Sequence, residues 1–375
     1  MNLRPLLLVA ATLVLLSYLF AGRVTRAMPD LEVYWTAAVR ARAAEPLYRV
    51  EDQHYQFKYL PAFAVLALPM GLVTLAQAKA IWFPVSVALL VVLLALCLRL
   101  LPERRKPAWL LVGAAIVTMG KFYGHELVLG QVNLLFGVIV VGALVALRSG
   151  REAPAGLLVA LAVVVKPYAA LFLPWLAARR QPGPAVAAAS GLAAALALPV
   201  LFYGIDGSLA LHRDWWRTVT GSTAPNLLNQ DNVSVAAMYA KWLGPGWTAA
   251  WLATLTGAVL LAGAALTFLR RGRLPFPDGL EGALLLTLIP LLSPQGWDYV
   301  FLISTPAILY VVNYEDRLPA ALRAASLLAI ATVGLSLYDV MGRASYARFM
   351  ALSVITLCFL VIVSALVSLR LRRAA

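Results

Sequence analysis

The stretch AIWFPVSVALLVVLLALCLRLLPERRK, residues 80–106, decides the fold. No charged side chain interrupts it between Ala80 and Leu98, and a helix needs about 20 apolar residues to cross a bilayer. The run therefore reads as one transmembrane crossing over 79–101. It ends at Pro102 and a basic cluster, Arg99, Arg104, Arg105 and Lys106, which by the positive-inside rule marks the cytoplasmic side. The rest of the chain repeats this pattern. With 62% hydrophobic and 13% charged side chains among 375 residues, the chain lies well above the roughly one-half apolar share of soluble domains. The expected fold class is an all-α polytopic membrane protein, one integral membrane domain over 1–375.

Further apolar runs lie near 4–21, 108–120, 131–148, 153–178, 184–203, 247–269, 280–293, 297–312, 320–337 and 348–370. The first could pass for a secretory leader, but no small-x-small cleavage site follows it cleanly, so it is expected to be retained. The run 153–178 is interrupted by KPY, residues 166–168. Proline removes a backbone donor and lysine is costly in lipid, so two short helices are expected with Lys166 at their tip. LPAFAVLALPMGLV, residues 60–73, is bounded by Pro61 and Pro69 and is expected to re-enter or lie at the interface. This gives about twelve crossings with both termini cytoplasmic, a first outer loop at 22–59 containing an interfacial helix, and a long outer loop at 204–246.

The formal charge of +14 is thereby explained. Most of it sits in the short linkers at 99–106, 148–152, 179–183 and 270–273 and at the C-terminal end, all on one side, so no nucleic-acid partner is implied. Cys97 and Cys358 both lie inside apolar runs and give neither a disulfide framework nor a metal-ligand cluster. Arginine outnumbers lysine and alanine is abundant, which suggests a bacterial plasma membrane.

The irregular polar stretches all fall on the opposite, outer face. MPDLEVYW, residues 28–35, places Asp30, Glu32 and Tyr34 at the head of the first loop. Pro29 before Asp30 equally suits a helix start with Asp30 as N-cap. GHELVLGQVN, residues 124–133, supplies His125, Glu126, Gln131 and Asn133, amides and acids able to grip sugar hydroxyls or merely to cap helix ends. Lys166 is a ready phosphate partner or an interfacial snorkeller. HRDWWRTVT holds Arg213 among tryptophans, and NLLNQDNVS holds Asn229 and Gln230, a combination suited to lipid headgroups. SPQGWD, residues 293–298, forms a tight turn presenting Trp297 and Asp298. No zincin, nucleotide-binding or nucleophile-elbow spacing occurs, and no metal or cofactor is expected.

Taken in order, Asp30 with Tyr34 and PLY (46–48), FKYLPAFAVLALP (57–69), GQVN (130–133), KPY (166–168), NQDN (229–232) and SPQGWD (293–298) make the chain resemble glycosyltransferase family 87. The resemblance implies a C-type glycosyltransferase fold that takes a sugar, mannose being the expected hexose, from a polyprenyl-phosphate donor. It implies transfer to a lipid or glycan acceptor at the outer membrane face, with inversion and Asp30 as general base. Two positions depart from the family pattern: Tyr299 stands where histidine is common, and Asp231 where a small hydroxyl residue is common.

The residues suit that chemistry. An acceptor hydroxyl attacks more readily when a carboxylate takes its proton, the role expected of Asp30. Lys166, Arg213 and His125 are the expected contacts of the departing lipid phosphate. Glu32, Tyr34, Glu126, Gln131, Asn133, Asn229, Gln230, Trp297 and Asp298 are the expected sugar or acceptor contacts. The competing class is a flippase or transporter of lipid-linked sugars, but no internal repeat is visible and the charges gather at segment ends.

Overall fold

A computed structural model of the protein describes residues 11, 14–15, 18–179, 181–269 and 277–371. Most of the first expected crossing, 4–21, and the basic linkers at 270–273 and 372–373 lie outside the described residues. Among those described, regular structure is helical, with one isolated β-bridge between Asn232 and Trp297.

In chain order the helices are α1 (Pro29–Arg42), α2 (Pro61–Leu66), α3 (Leu75–Leu100), α4 (Ala108–Leu129), α5 (Asn133–Arg148), α6 (Glu152–Val165), α7 (Phe172–Ala177), α8 (Pro182–Ala197) and α9 (Val200–Gly221). They continue with α10 (Val235–Leu243), α11 (Trp247–Leu269), α12 (Asp278–Leu292), α13 (Thr305–Asn313), α14 (Ala320–Leu335), α15 (Tyr338–Met341), α16 (Arg343–Ala351) and α17 (Val354–Leu371). Three of them, α3, α11 and α17, are long and apolar enough to cross a membrane. A fourth crossing is available if α8 and the helical segment after it, bent by 90°, count together. Other expected crossings fall on shorter apolar helices. The 60–73 stretch forms only the six-residue α2 and a five-residue 3-10 turn, Leu68–Leu72, each far shorter than a bilayer at 1.5 Å per residue.

The chain divides into two compact units. The first comprises residues 1–93 and 125–222, the second 94–124 and 223–375. In the first, α6 and α8 pack closely because small residues line their contact. A Cβ on Gly156 would collide with the Pro184 carbonyl and Ala187, and one on Gly191 would press on Ala160 at 3.0 Å, the small-residue solution to helix packing in lipid. In this unit α6 ends at Val165, Lys166 is extended, and a 3-10 turn starts at Pro167.

The 204–246 segment, expected to be an irregular loop, is largely helical, since α9 and α10 occupy most of it. Gly204 breaks the helix with φ of +66°. Beyond it Ser208 and Leu211 turn inward at helical spacing, while Ile205, Leu209 and Trp216 stay exposed. That is the pattern of an amphipathic helix.

In the second unit α12 is buried from Gly279 through Leu291, as expected of a helix apolar all round. The Phe301 and Phe359 rings stack against one another at 3.6 Å. Near the end of α17, Arg370 donates to Glu281 at 2.9 Å, with both side chains wholly inaccessible to solvent.

Candidate functional site

The first unit gathers its polar groups around the start of α1. Met28 precedes that helix in the left-handed region, φ 48° and ψ 54°, fully buried, with its N–H donating to the Val128 carbonyl at 3.1 Å. Such a conformation is costly for a residue with a side chain and persists only where the surroundings enforce it. Gly130 completes the junction. Its φ is +69°, and a Cβ there would stand 2.9 Å from the Leu31 Cβ and 3.0 Å from the Met28 Cβ.

The helix takes its N-cap from Met28 rather than Asp30, and no side chain caps it. The Asp30 carboxylate is therefore directed elsewhere: its Oδ2 accepts from the Gln131 Nε2 amide at 2.8 Å. This geometry replaces the N-cap account of Asp30. On the other side of the same amide, Gln131 Oε1 accepts from the Tyr34 hydroxyl at 2.8 Å, and from the Tyr59 hydroxyl and Lys166 Nζ at 3.3 Å each. These donors on the oxygen, with the Val132 N–H at 3.4 Å, fix which end of the amide faces the carboxylate. Lys166 also donates to the Tyr59 hydroxyl at 2.7 Å, and its ammonium lies 4.6 Å from the centre of that ring. The Tyr34 and Tyr59 hydroxyls are 2.6 Å apart.

Burial raises the Asp30 carboxyl above its ordinary range, while the Gln131 hydrogen bond and the charges of Lys166, His54 and His125 pull it back. The result is a carboxyl less acidic than in water and held in one orientation, which are the attributes of a general base.

Other expected residues are placed differently. Glu32 does not join Asp30; two positions along a helix point apart, and Glu32 is exposed, meeting Lys79 at 3.4 Å. Glu126 and Asn133 have no exposed surface. Glu126 accepts from the Leu134 N–H at 3.0 Å and the Asn133 side chain at 2.8 Å, closing the N-terminus of α5, where a carboxylate is favoured by the helix dipole. Tyr168 donates to Asn133 Oδ1 at 3.1 Å. Glu126 and Asn133, expected as sugar contacts, are both enclosed here and hold the helix end. Arg213 is exposed on α9, and among the described residues no hydrogen bond or ion pair joins it to the Asp30 group.

The second unit zips NQDN to SPQGWD. Val233 N–H donates to the Gly296 carbonyl at 2.7 Å, Asp298 N–H to the Asp231 carbonyl at 2.9 Å, and the Asn232 amide to the Pro294 carbonyl at 2.8 Å. Asn229 Oδ1 accepts from the Asp231 N–H at 2.9 Å, closing the turn. Gln230 is exposed, and its carbonyl accepts from Lys241 Nζ at 2.9 Å. Trp297 is half-buried, and Asp298 is buried against Lys121 at 3.5 Å. Lys121 also donates to the Tyr346 hydroxyl at 3.3 Å. Burial lowers Lys241 to about 8, opposed by the charges of Asp231 and Asp298.

Sequence reasoning did not single out Tyr59, Lys58, Lys121, Lys241 or Tyr346. Tyr59 and Lys58 stood in FKYLP and Lys121 in KFYGHE, where a cation beside aromatics between apolar runs was the available signal. Among the described residues no group of three or more His, Cys, Asp or Glu side chains gathers in a metal-binding arrangement.

The model of glycosyltransferase family 87 matches residues 57–294, a range that takes in Tyr59, Gln131 and Lys166 and begins after Asp30. No curated protein and no solved structure matches the chain.

Proposed function

The chain belongs to glycosyltransferase family 87, and from that premise we propose that it moves a hexose, mannose, from a polyprenyl-phosphate donor to a lipid or glycan acceptor at the outer face of the plasma membrane. That it is a membrane glycosyltransferase follows from the family and from its apolar helices. The twelve-crossing C-type architecture with both termini in the cytoplasm is part of the proposal, supported by the charge bias of the linkers.

One observation carries the reading: Asp30, half-buried, keeps a fixed hydrogen bond from Gln131 at 2.8 Å, and the Lys166 ammonium bonds to the same amide at 3.3 Å. In the reaction the acceptor oxygen attacks the anomeric carbon from the side opposite the phosphate. The new C–O bond forms as the old one breaks, and the hydroxyl proton passes to Asp30. The electron pair of the broken bond leaves with the polyprenyl phosphate. Inversion follows from single displacement. The surrounding cations favour the transition state, in which negative charge grows on the departing phosphate. Positioned base catalysis contributes about 100- to 10,000-fold. On this reading Tyr34 and Gln131 hold the base, Glu126 and Asn133 hold the start of the helix that follows Gln131, and Asn229, Gln230, Trp297 and Asp298 stay sugar or acceptor candidates by the resemblance alone. The donor sugar arrives activated, so no nucleotide or other cofactor takes part.

The test is incubation of purified protein with polyprenyl-phosphomannose and candidate acceptors. Wild type forms product, and Asp30→Asn, with unchanged thermal unfolding, loses at least about 100-fold of its turnover. Movement of the lipid without formation of a glycosidic bond would instead identify a flippase.

A further inference from the structure

The motif HRDWWRTVT has no part in the group around Asp30. It lies on α9, whose sides differ. Towards the first loop, the Tyr203 hydroxyl donates to the Glu45 carbonyl at 2.9 Å and the Trp215 indole to the Lys58 carbonyl at 3.3 Å. Ser208 and Leu211, between them along the helix, are buried. These contacts settle which side of α9 points into the protein.

On the adjoining side Ile205, Leu209 and Trp216 are 69%, 51% and 61% exposed. Their spacing of i, i+4 and i+11 makes one stripe at 3.6 residues per turn. His212, at i+7, is turned back, with one ring nitrogen 2.8 Å from the Ser208 carbonyl. Arg213 and Arg217 run along one edge of the stripe, both exposed. Arg217 lies 3.5 Å from Asp214, and Arg213 meets no acceptor among the described residues. Asp206 and Asp214 balance the two arginines in net charge, so α9 offers two guanidinium forks beside an apolar strip rather than a diffuse positive field.

The helix also has a direction. α8, which carries no charged side chain, and the helical segment that begins at Val200 meet at 90°. With α8 standing in hydrocarbon, α9 runs along the membrane surface, where an apolar strip edged by arginine and tryptophan matches the boundary between acyl chains and headgroups.

We propose that α9 docks on the phospholipid surface, its Ile205, Leu209 and Trp216 stripe seated in the acyl boundary and Arg213 and Arg217 donating to phosphate diester oxygens of bilayer lipids. Long arginine stems at the edge of the stripe suit that reach. The inference goes beyond sugar transfer, and it gives to bilayer phospholipid the phosphate contact expected of Arg213 with the donor. Because its inner side bonds to the carbonyls of Glu45 and Lys58, α9 ties the first loop to the membrane surface.

The test uses the full chain, and neither part of it reads turnover, so its outcome stands apart from whether sugar is transferred. In phospholipid nanodiscs, spin labels on Ile205→Cys, Leu209→Cys and Asp214→Cys are exposed to oxygen, which concentrates in lipid, and to a water-soluble nickel chelate; the native thiols, Cys97 and Cys358, are buried. The ratio of oxygen to nickel accessibility is expected to be severalfold higher at Ile205 and Leu209 than at Asp214. Equal ratios overturn the docking, and a label at Leu209 that neither reagent reaches reveals a protein partner on the stripe and overturns it too. For the arginines, phosphatidylethanolamine with a quencher on its amine, which leaves the phosphate diester as its only charge, is titrated into detergent-purified Ala210→Cys protein bearing a fluorophore. Arg213→Gln and Arg217→Gln are each expected to weaken the affinity roughly fivefold, and Arg213→Lys to lose less. Unchanged affinity in both glutamine variants overturns the phosphate contact. So does displacement of the quencher lipid by polyprenyl phosphate at lower concentration than by phosphatidylglycerol, which would return Arg213 to the donor.

Discussion

At Asp30 the useful property is a carboxyl raised above its ordinary range by burial, and Gln131 opposes that rise by donating to its charged form. Gln131→Leu should push Asp30 further up, since the hydrogen bond that favours the carboxylate is gone. A base works only when deprotonated, so activity of the variant should fall at the acid end first and recover toward alkaline pH. A profile of kcat/KM against pH that keeps the wild-type acid limb would contradict this. Asp30, Gln131 and Lys166 stand out in the sequence as polar residues between apolar runs. Their partnership does not, because 101 positions separate the donor amide from its carboxylate. Tyr59 reads in sequence as one more interfacial aromatic, and only contact reveals its hydroxyl as the bridge to Lys166. Glu32 shows the opposite failure: two acids close in sequence suggest a pair until the helix turns them apart.

At the scale of elements, the junction between Gly130 and α1 sets where Asp30 can stand. Gly130→Ala introduces a Cβ against Leu31 and Met28 at a position already held at a left-handed φ of +69°, a backbone cost of about 1–2 kcal/mol before the collision is counted. Expected results are a lower unfolding midpoint and reduced turnover together, with donor affinity less affected. The glycine's need was half visible in GQVN, but the neighbour it must admit was not. The helix α9 was harder to read because HRDWWRTVT mixes charges and indoles over a short window, while the inward set of Ser208 and Leu211 contains a hydroxyl. In the second unit, Glu281 and Arg370 form a fully enclosed pair. Glu281→Gln would remove the carboxylate that Arg370 meets at 2.9 Å inside the protein, a loss of about 3–5 kcal/mol. Denaturation in detergent should show it, and Arg370→Met in the same chain should recover a large part, as coupled partners do.

For the whole molecule, membrane residence is written in composition, because no packing detail is needed to see that 62% hydrophobic side chains exceed what a soluble surface tolerates. The number of crossings is a different quantity. It depends on where short helices such as α2 and α7 break and on whether bent pairs such as α8 and α9 act together, and prolines and glycines disrupt a hydropathy run without saying on which side the chain emerges. Charge bias supplies the side, and it makes a sharp expectation. The native thiols provide a quiet background, since Cys97 and Cys358 are free but buried, 1% and 7% exposed. A cysteine introduced singly at Glu51, in the exposed turn of the first loop, should react with a membrane-impermeant maleimide on intact cells. One at Glu103, in the basic linker after α3, should react only after the membrane is opened. The two sites are separated by a single long apolar helix, so equal labelling from outside would mean that α3 does not cross. Labelling at Glu51 only after the membrane is opened would instead place the loop carrying Asp30 on the wrong side for a lipid-linked donor at the outer surface.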